Sequence, residues 1–266
     1  MTLLALTLFS LLSAAMAEPP PGVNAKAIET LIERGQSSRQ AYDNLEVLCD
    51  DIGPRLAGTP ALDRAINWAS GVLTEAGLSN VHTEPVMVPV WIRGTEHASV
   101  ITPNPWALSM LGLGGSVGTP PEGLTAEVLV VSSFEELQQR KTEAEGRIVL
   151  FDVPFSGYKD TVAYRTGGAN AAARAGAVAA LVRSVTPVSL DTPHTGAMHY
   201  DEDVRKIPTA AITIENATRI HRLTERGQTV TVTLTMGAHS GPDAPSANVI
   251  AEVKGRQAPD EIVLLA

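Results

Sequence analysis

The alternation of short apolar runs with longer helical patterns between residues 124 and 236 constrains the fold of this 266-residue chain more than any other feature. The apolar runs have the length of buried strands, and the segments between them place apolar residues at helical spacing. Such alternation predicts an α/β layer, and the turn-rich stretches leave room for a partly barrel-like sheet. The predicted strands are residues 127–131, 147–152, 177–183, 209–213 and 230–234, and the predicted helices are 134–141, 161–175 and 215–226.

The segments on either side of this unit predict a second set of elements. Helical spacing predicts two N-terminal helices, followed by a third that opens at Thr59-Pro60 and ends at Gly77. Pro- and Gly-rich composition predicts linkers at residues 102–123 and 239–245. Apolar patterns predict further strands near residues 86–90, 98–101, 248–253 and 261–265. Because the last of these strands finishes the sequence without a turn or cap, we expect an interrupted sheet.

Residues 1–17 are typical of a secretory signal peptide. This stretch carries no charged side chain, has an apolar core and ends in the cleavage pattern Ala15-Met16-Ala17. Its apolar run suits a signal core better than a membrane span, and no later segment reaches the roughly 20 apolar residues of a spanning helix. We therefore expect a secreted or periplasmic protein with no membrane span after signal cleavage.

The net charge and the cysteine count exclude several classes of function. A formal net charge of −9 opposes approach to nucleic acid or to an anionic membrane surface. Cys49 is the only cysteine, which excludes an intramolecular disulfide and every cysteine-based zinc site. Its place in a helical apolar pattern predicts a buried side chain.

The segment from Gly114 to Gly118 matches the G-x-S-x-G pattern of serine hydrolases, with Ser116 at the position of the nucleophile. That arrangement needs a strand, a sharp turn and then a helix. Thr119-Pro120-Pro121 follows directly, and paired prolines cannot supply the hydrogen bonds of such a helix. A serine hydrolase acting through Ser116 is therefore a disfavoured alternative.

The six histidines form no compact metal-ligand pattern with carboxylates. The densest polar cluster surrounds His194 and His199 and also contains Tyr200. Loops of this polarity often line ligand sites, so we predict a substrate-side role for His194 and Tyr200. We assign no residue of the sequence a catalytic or metal-binding role. Asn216 begins a glycosylation sequon.

Several stretches of the sequence resemble the M28 family of zinc peptidases. They are residues 52–59 (IGPRLAGT), 246–255 (SANVIAEVKG) and 259–265 (PDEIVLL). Residues 146–150 (GRIVL), 176–184 (GAVAALVRS) and 207–210 (IPTA) are similar to a protease-associated (PA) domain. Residues 183–186 (RSVT) and 193–196 (PHTG) resemble the carboxypeptidase Q-like branch of the family.

The resemblance implies an exopeptidase in which two zinc ions activate a shared water to hydrolyse dipeptides or short peptides. In the family the metal ligands are His, Asp, Glu, Asp and His, and every one lies beyond the position that matches Ala266. The resemblance therefore implies that this chain lacks the metal ligands and is inactive alone. Carboxypeptidase or aminopeptidase action, and a homodimer, are left open.

We interpret the chain as an α/β protein, in which an incomplete and discontinuous zinc-exopeptidase domain carries an inserted PA-like α/β domain. The proposed divisions are a signal peptide at 1–17, the first peptidase part at 24–100, the inserted domain at 101–243 and the return strands at 244–266. The alternative is a non-catalytic secreted module in which the PA-like domain binds a partner.

Overall fold

The computed structural model describes residues 24–188 and 190–265, so the predicted signal peptide lies outside the described residues. The chain divides into two compact units, one before and one after the peptide bond that joins Gly53 to Pro54. Among the described helices, none is both long and apolar enough to cross a membrane.

The first unit is helical, as its spacing predicts. Helix α1 (Ala25–Ser37) begins at Asn24, whose side chain accepts a hydrogen bond from the Ala27 N–H at 3.1 Å. Helix α2 (Gln40–Glu46) continues without a break into a π-helical segment (Val47–Ile52).

Cys49 is exposed, so the prediction of a buried thiol is wrong. In the π-helical segment, the angle between successive side chains differs from that of an α-helix. Cys49 therefore does not lie on the same side as the apolar residues with which an α-helical pattern groups it. Ile52 is the one buried residue among positions 24–53.

The second unit opens with helix α3 (Pro60–Glu75), and the predicted cap is confirmed. The Thr59 hydroxyl accepts a hydrogen bond from the Leu62 N–H at 3.4 Å, and a proline occupies the first helical position. Helix α3 packs against a two-stranded antiparallel ribbon made of β1 (Ser79–Val88) and β12 (Ala244–Glu252).

The second unit contains further strands and helices, and those between residues 124 and 236 follow the predicted alternation. The strands are β2 (Trp91–Ile92), β3 (Glu96–Thr102), β4 (Trp106–Ala107), β5 (Met110–Gly112), β6 (Leu124–Val131), β7 (Ile148–Phe151), β8 (Ala179–Arg183), β9 (Thr209–Ile212), β10 (Thr231–Met236) and β11 (His239–Ser240). The helices are α4 (Phe134–Gln139), α5 (Lys141–Ala144), α6 (Tyr158–Arg174) and α7 (Ile214–Glu225).

Eight of these strands form one mixed sheet in the order β4-β3-β10-β6-β7-β8-β9-β5. The four central neighbours β6, β7, β8 and β9 are parallel, and the flanking pairs are antiparallel. Strands β4 and β5 are close in sequence yet lie at opposite ends of this order, so the sheet is curled. The predicted α/β class is therefore confirmed, with a mixed and curled sheet.

Two stretches that composition predicted to be linkers contain strands. Residues 102–123 include β4 and β5, and residues 239–245 include β11 and the start of β12. Strands of two or three residues are too short to show a period in sequence. Strands β4 and β5 form at the two ends of the curled sheet, whereas β11 pairs with β2 and β12 pairs with β1 in separate two-stranded sheets.

The strand predicted at residues 261–265 is not observed. These residues belong to no helix or strand, and Ile262 and Leu265 are 89% and 90% exposed. A strand needs a hydrogen-bonded neighbour, and no described strand pairs with this segment.

The parallel strands are buried on both faces, because alternate side chains point to opposite sides of the sheet. On one face Val130, Leu150 and Leu181 join a core that also contains Ile220 of α7. On the other face Val149, Phe151 and Val182 pack with residues of α4 and α6. Phe134 of α4 stacks on Tyr164 of α6 with ring centroids 4.4 Å apart.

We predict that Glu136→Gln destabilises the protein by about 1 kcal/mol at neutral pH, because the Glu136 carboxylate accepts hydrogen bonds that stabilise the first turn of α4. Its carboxylate accepts hydrogen bonds from the Ser132 N–H at 2.7 Å and from Arg140 at 2.8 Å. Chemical denaturation measures the change. The matched control is Glu135→Gln, an exposed glutamate in the same turn.

The same interactions make this contribution depend on pH. Burial raises the pKa of Glu136, but hydrogen bonds from Ser132 and Arg140 lower it by more, so the pKa lies below its ordinary value of 4.5. The stabilisation is therefore present above pH 4.5 and is lost as the pH falls through the lower folded-state pKa. An equal loss in the Glu135→Gln control would contradict this account.

Limited proteolysis tests the proposed domain division. Apart from Ile52, the buried hydrophobic side chains lie between Ala98 and Ala238. We expect trypsin to remove the flanking segments first and to leave a fragment that contains β3 to β10. Cleavage at equal rates inside and outside this fragment would contradict the division.

Candidate functional site

The connection between β8 and β9, residues 184–208, carries both side chains predicted to act on the substrate side. We call it the β8–β9 loop. Gly114 donates its N–H to the carbonyl of Gly196 at 2.9 Å and accepts the N–H of Met198 at 2.8 Å. The Thr195 hydroxyl donates to the carbonyl of Gly112 at the end of β5, at 3.2 Å. The backbone of the loop is thus fastened to the end of the sheet.

Helix α6 fixes the loop from a second direction. The Asn170 side chain donates to the carbonyl of His199 at 3.2 Å and accepts the N–H of Asp201 at 3.1 Å. Arg174 forms ion pairs with Asp201 at 2.8 Å and with Asp203 at 3.0 Å. The hydrogen bond to Asp201 and the charge of Asp203 raise the pKa of Arg174 above its ordinary value. These polar groups border a groove of about 490 Å³ whose apolar wall contains Phe134, Leu137, Ala171 and Ala175.

The structure gives the two predicted residues different partners. His194 is exposed, its N–H donates to the Ser184 hydroxyl at 2.8 Å, and its ring meets the edge of the Tyr158 ring at 6.5 Å. Tyr200 is half-buried, and its hydroxyl donates to the carbonyl of Ile207 in its own loop. His194 can therefore reach a ligand, whereas the Tyr200 hydroxyl already stabilises the loop.

A buried cluster on the other face of the sheet was not predicted from the sequence. Asp152 follows β7 and is 4% exposed, and its carboxylate pairs with Arg183 at 2.8 Å. The second carboxylate oxygen lies 2.6 Å from Nδ1 of His221 on α7. Arg183 also donates to the Thr218 hydroxyl at 3.2 Å. The signal that could have revealed this cluster is topological, since Asp152 and Arg183 lie at the carboxyl ends of adjacent parallel strands.

Within this cluster Asp152 fixes the orientation of the His221 ring. A carboxylate accepts hydrogen bonds only, so Nδ1 of His221 donates to Asp152 in this contact. Nε2 lies 3.8 Å from a carboxylate oxygen of Glu225. The arrangement presents one oriented imidazole at the surface of α7.

Ser116 does not have the surroundings of a nucleophile. It is 2% exposed, its hydroxyl accepts the Thr209 N–H at 2.8 Å, and it lies 3.3 Å from the carbonyl of Val117. Through these contacts, the Ser116 hydroxyl connects β9 to the turn after β5. The serine-hydrolase alternative therefore gains no support from the structure.

Asn216 of the sequon lies in the first turn of α7 and is 8% exposed. Its side-chain nitrogen donates to the Thr213 hydroxyl at 2.8 Å, and its oxygen accepts the indole N–H of Trp106 at 3.0 Å. Because this side chain is buried and its nitrogen is engaged with Thr213, the folded chain does not present Asn216 for glycosylation.

No group of three or more His, Cys, Asp or Glu side chains in the described part of the chain is arranged to hold a metal ion. A co-catalytic zinc site needs several such ligands for each ion. The described residues therefore do not form a zinc site among themselves.

We predict that Asp152→Asn destabilises the fold by about 3 kcal/mol, because it leaves the partly buried Arg183 without a countercharge. The control is Glu127→Gln, which removes the surface ion pair with Arg147 and should cost less than about 1 kcal/mol. Chemical denaturation of both variants measures the difference. Equal losses of stability in the two variants would show that burial does not increase the contribution of the Asp152–Arg183 pair to stability.

No protein-family model matches the chain. Individual relatives do match: the chain is 48% identical to bovine (Bos taurus) carboxypeptidase Q over 242 residues, which are 91% of this chain and 51% of that protein. It is 46% identical to human (Homo sapiens) carboxypeptidase Q over the same number of residues, again 91% of this chain and 51% of that protein. The chain thus spans about half the length of the relatives it matches.

Solved structures agree with these matches. The crystal structure of a peptidase M28 precursor from Shewanella amazonensis SB2B superposes with a TM-score of 0.84 and 38% identity, covering 90% of this chain and 55% of that one. A zinc aminopeptidase from Bacillus subtilis shares the fold with a TM-score of 0.55 and 21% identity, covering 82% of this chain and 48% of that one. Over the matched residues, the chain is a homologue of carboxypeptidase Q and has the fold of the M28 peptidases.

Proposed function

We propose that this chain is part of a zinc-dependent exopeptidase that hydrolyses dipeptides or short peptides. The observation that carries the proposal is the 48% identity to bovine carboxypeptidase Q over 91% of the chain. The similarity to the Shewanella amazonensis M28 peptidase precursor, with a TM-score of 0.84, supports the same class of enzyme. Carboxypeptidase action, which the name of the first relatives describes, is part of this proposal.

Zinc is the cofactor we propose, with two ions in the active enzyme. One structural relative is described as a zinc aminopeptidase. Because the described residues contain no group able to hold a metal, we propose that the zinc ligands come from polypeptide outside residues 24–188 and 190–265. When bound, the metal ions would lower the pKa of a bound water.

The described residues supply a scaffold and a substrate-side loop in this proposal. The β8–β9 loop is held by Gly114 and by Asn170, so its exposed side chains keep a fixed position. Among them His194 is available to a ligand, and we retain it as a substrate-side candidate. Tyr200 is retained as a residue that shapes the loop through its hydrogen bond to Ile207.

We further propose that the enzyme acts outside the cytoplasm, on the basis of the signal-like residues 1–17. The discontinuous domain arrangement is retained as a proposal, with a PA-like insertion between the two peptidase parts. Peptides are the proposed substrates. The competing function is that of a non-catalytic module in which the inserted domain binds a partner.

A chimera tests the proposed function. This chain would be fused to the second half of bovine carboxypeptidase Q, beginning where the 242-residue match ends. We predict that the folded chimera binds zinc and hydrolyses alanyl-alanine, and that a chelator abolishes this activity. We predict that the present chain, assayed alone with or without added zinc, hydrolyses no dipeptide.

The bovine half expressed alone is the matched control and should be inactive. A folded, zinc-loaded chimera without dipeptidase activity would contradict the enzyme proposal and favour the binding module. Zinc-stimulated hydrolysis by the present chain alone would show that the metal ligands lie within it.

A further inference from the structure

Arg165 is a buried charge near the middle of α6. It is 7% exposed, and a guanidinium remains protonated at any physiological pH. Burying a charge is costly unless an opposite charge and hydrogen bonds compensate for it. The surroundings of Arg165 therefore need an explanation.

The described residues compensate this charge only in part, through the Tyr158 ring, whose centroid lies 5.4 Å from Cζ of Arg165. One terminal nitrogen of Arg165 donates to the Tyr158 hydroxyl at 2.7 Å, and the buried Nε has no hydrogen-bond partner. No carboxylate of residues 24–188 or 190–265 forms an ion pair with it. By comparison, the partly buried Arg183 is paired with Asp152 at 2.8 Å. The Nε–H of Arg165 thus has no acceptor, and the guanidinium lacks a countercharge among the described residues.

The β8–β9 loop lies directly on the guanidinium. A Cβ added to Gly196 would lie 2.6 Å from Cζ of Arg165, so only glycine lets the loop approach this closely. Tyr158 is 52% exposed, and the exposed His194 meets the edge of its ring. These two rings place Arg165 just beneath the surface, beside the loop that we assign to the substrate side.

The local charge also favours an anion. Tyr158 is the first residue of α6, where the partial positive charge of the helix N-terminus lies, and Lys159 follows it. Asp160 is the one acidic residue in the first turn of this helix, and it is exposed and forms no ion pair with Arg165. The planar guanidinium matches a carboxylate because two of its N–H groups can donate to the two oxygens.

We propose that Arg165, Tyr158 and His194 form a carboxylate-binding site whose ligand is the C-terminal carboxylate of a short peptide. The identity of the ligand as a peptide rests on the proposed function. The carboxylate of the bound peptide supplies the countercharge that Arg165 otherwise lacks, and the site therefore distinguishes a free C-terminus from a blocked one. Such discrimination is what an enzyme that acts at chain ends requires.

Titration of the 266-residue chain tests this site. Alanyl-alanine, alanyl-alanine amide, acetate and inorganic phosphate would be added separately, and the nitrogen-15 NMR signal of the Arg165 Nε–H would be followed together with the calorimetric affinity. We expect alanyl-alanine to bind at least about tenfold more tightly than its amide, since a charge-assisted hydrogen bond is lost. We also expect alanyl-alanine to bind more tightly than acetate, and to shift the Arg165 signal.

Variants locate the binding. Arg165→Met should weaken alanyl-alanine binding by at least about tenfold, and Arg165→Lys should weaken it less. Arg147→Met is the matched control, because Arg147 is a surface arginine that is paired with Glu127 and does not hold the β8–β9 loop, and it should leave the affinity unchanged. The comparison of peptide with amide uses the unaltered chain, so the proposal stays testable if a variant does not fold.

Equal binding of the peptide and its amide, absence of alanyl-alanine binding, or tighter binding of phosphate than of the peptide would each overturn the proposal. Unchanged affinity in a folded Arg165→Met variant would also overturn it. These outcomes are independent of hydrolysis. Peptide binding by this chain together with an inactive, zinc-loaded chimera would count against the proposed function and leave the site intact.

Discussion

Four parallel strands, β6 to β9, require apolar cover on both faces, and the rest of the second unit depends on that requirement. Parallel strands are joined by crossovers that place helices on the sheet faces. Helices α4 and α6 cover one face and α7 covers the other, where the core continues into β3 and β10. Phe151 and Leu150 are adjacent in β7 yet belong to different cores. A sheet built in this way has little freedom to shift its register.

The parallel arrangement of the strands also determines which charged side chains meet at the end of the sheet. The carboxyl ends of β7 and β8 bring Asp152 and Arg183 together in a nearly closed environment, where their pairing is required for stability. Arg165 of α6 is more deeply buried than Arg183, but it contacts the backbone of the β8–β9 loop and not an acidic side chain. Among the described residues, Arg183 is therefore paired with a carboxylate of the chain, whereas Arg165 is the arginine that we propose to bind a ligand.

Much of this architecture could be predicted from the sequence, because its signals are local. The Thr59 cap and the apolar runs of β6 to β9 depend on neighbouring residues only, and both are confirmed. The short strands β4 and β5 depend on a curled sheet edge, which no local pattern encodes. The strand expected at residues 261–265 had the right composition but has no described partner.

The candidate site was predictable in part. Local polarity indicated the β8–β9 loop, and the structure shows how Gly114 and Asn170 fasten it. The Asp152 cluster escaped detection because its members are 31 and 69 positions apart in sequence. Arg165 escaped for a different reason: an arginine in a helical segment normally faces solvent, and only tertiary packing shows that this one is buried.

We infer from these hydrogen bonds that the β8–β9 loop belongs to the same cooperative unit as the parallel strands. Native-state hydrogen exchange of the amides of Gly114 and Met198 tests it most directly, because both amides bridge the loop to the turn after β5. We predict that these amides are protected nearly as strongly as those of the buried strands β7 and β8, which we expect to open only on global unfolding. Rapid exchange at Gly114 and Met198, with β7 and β8 still protected, would contradict it.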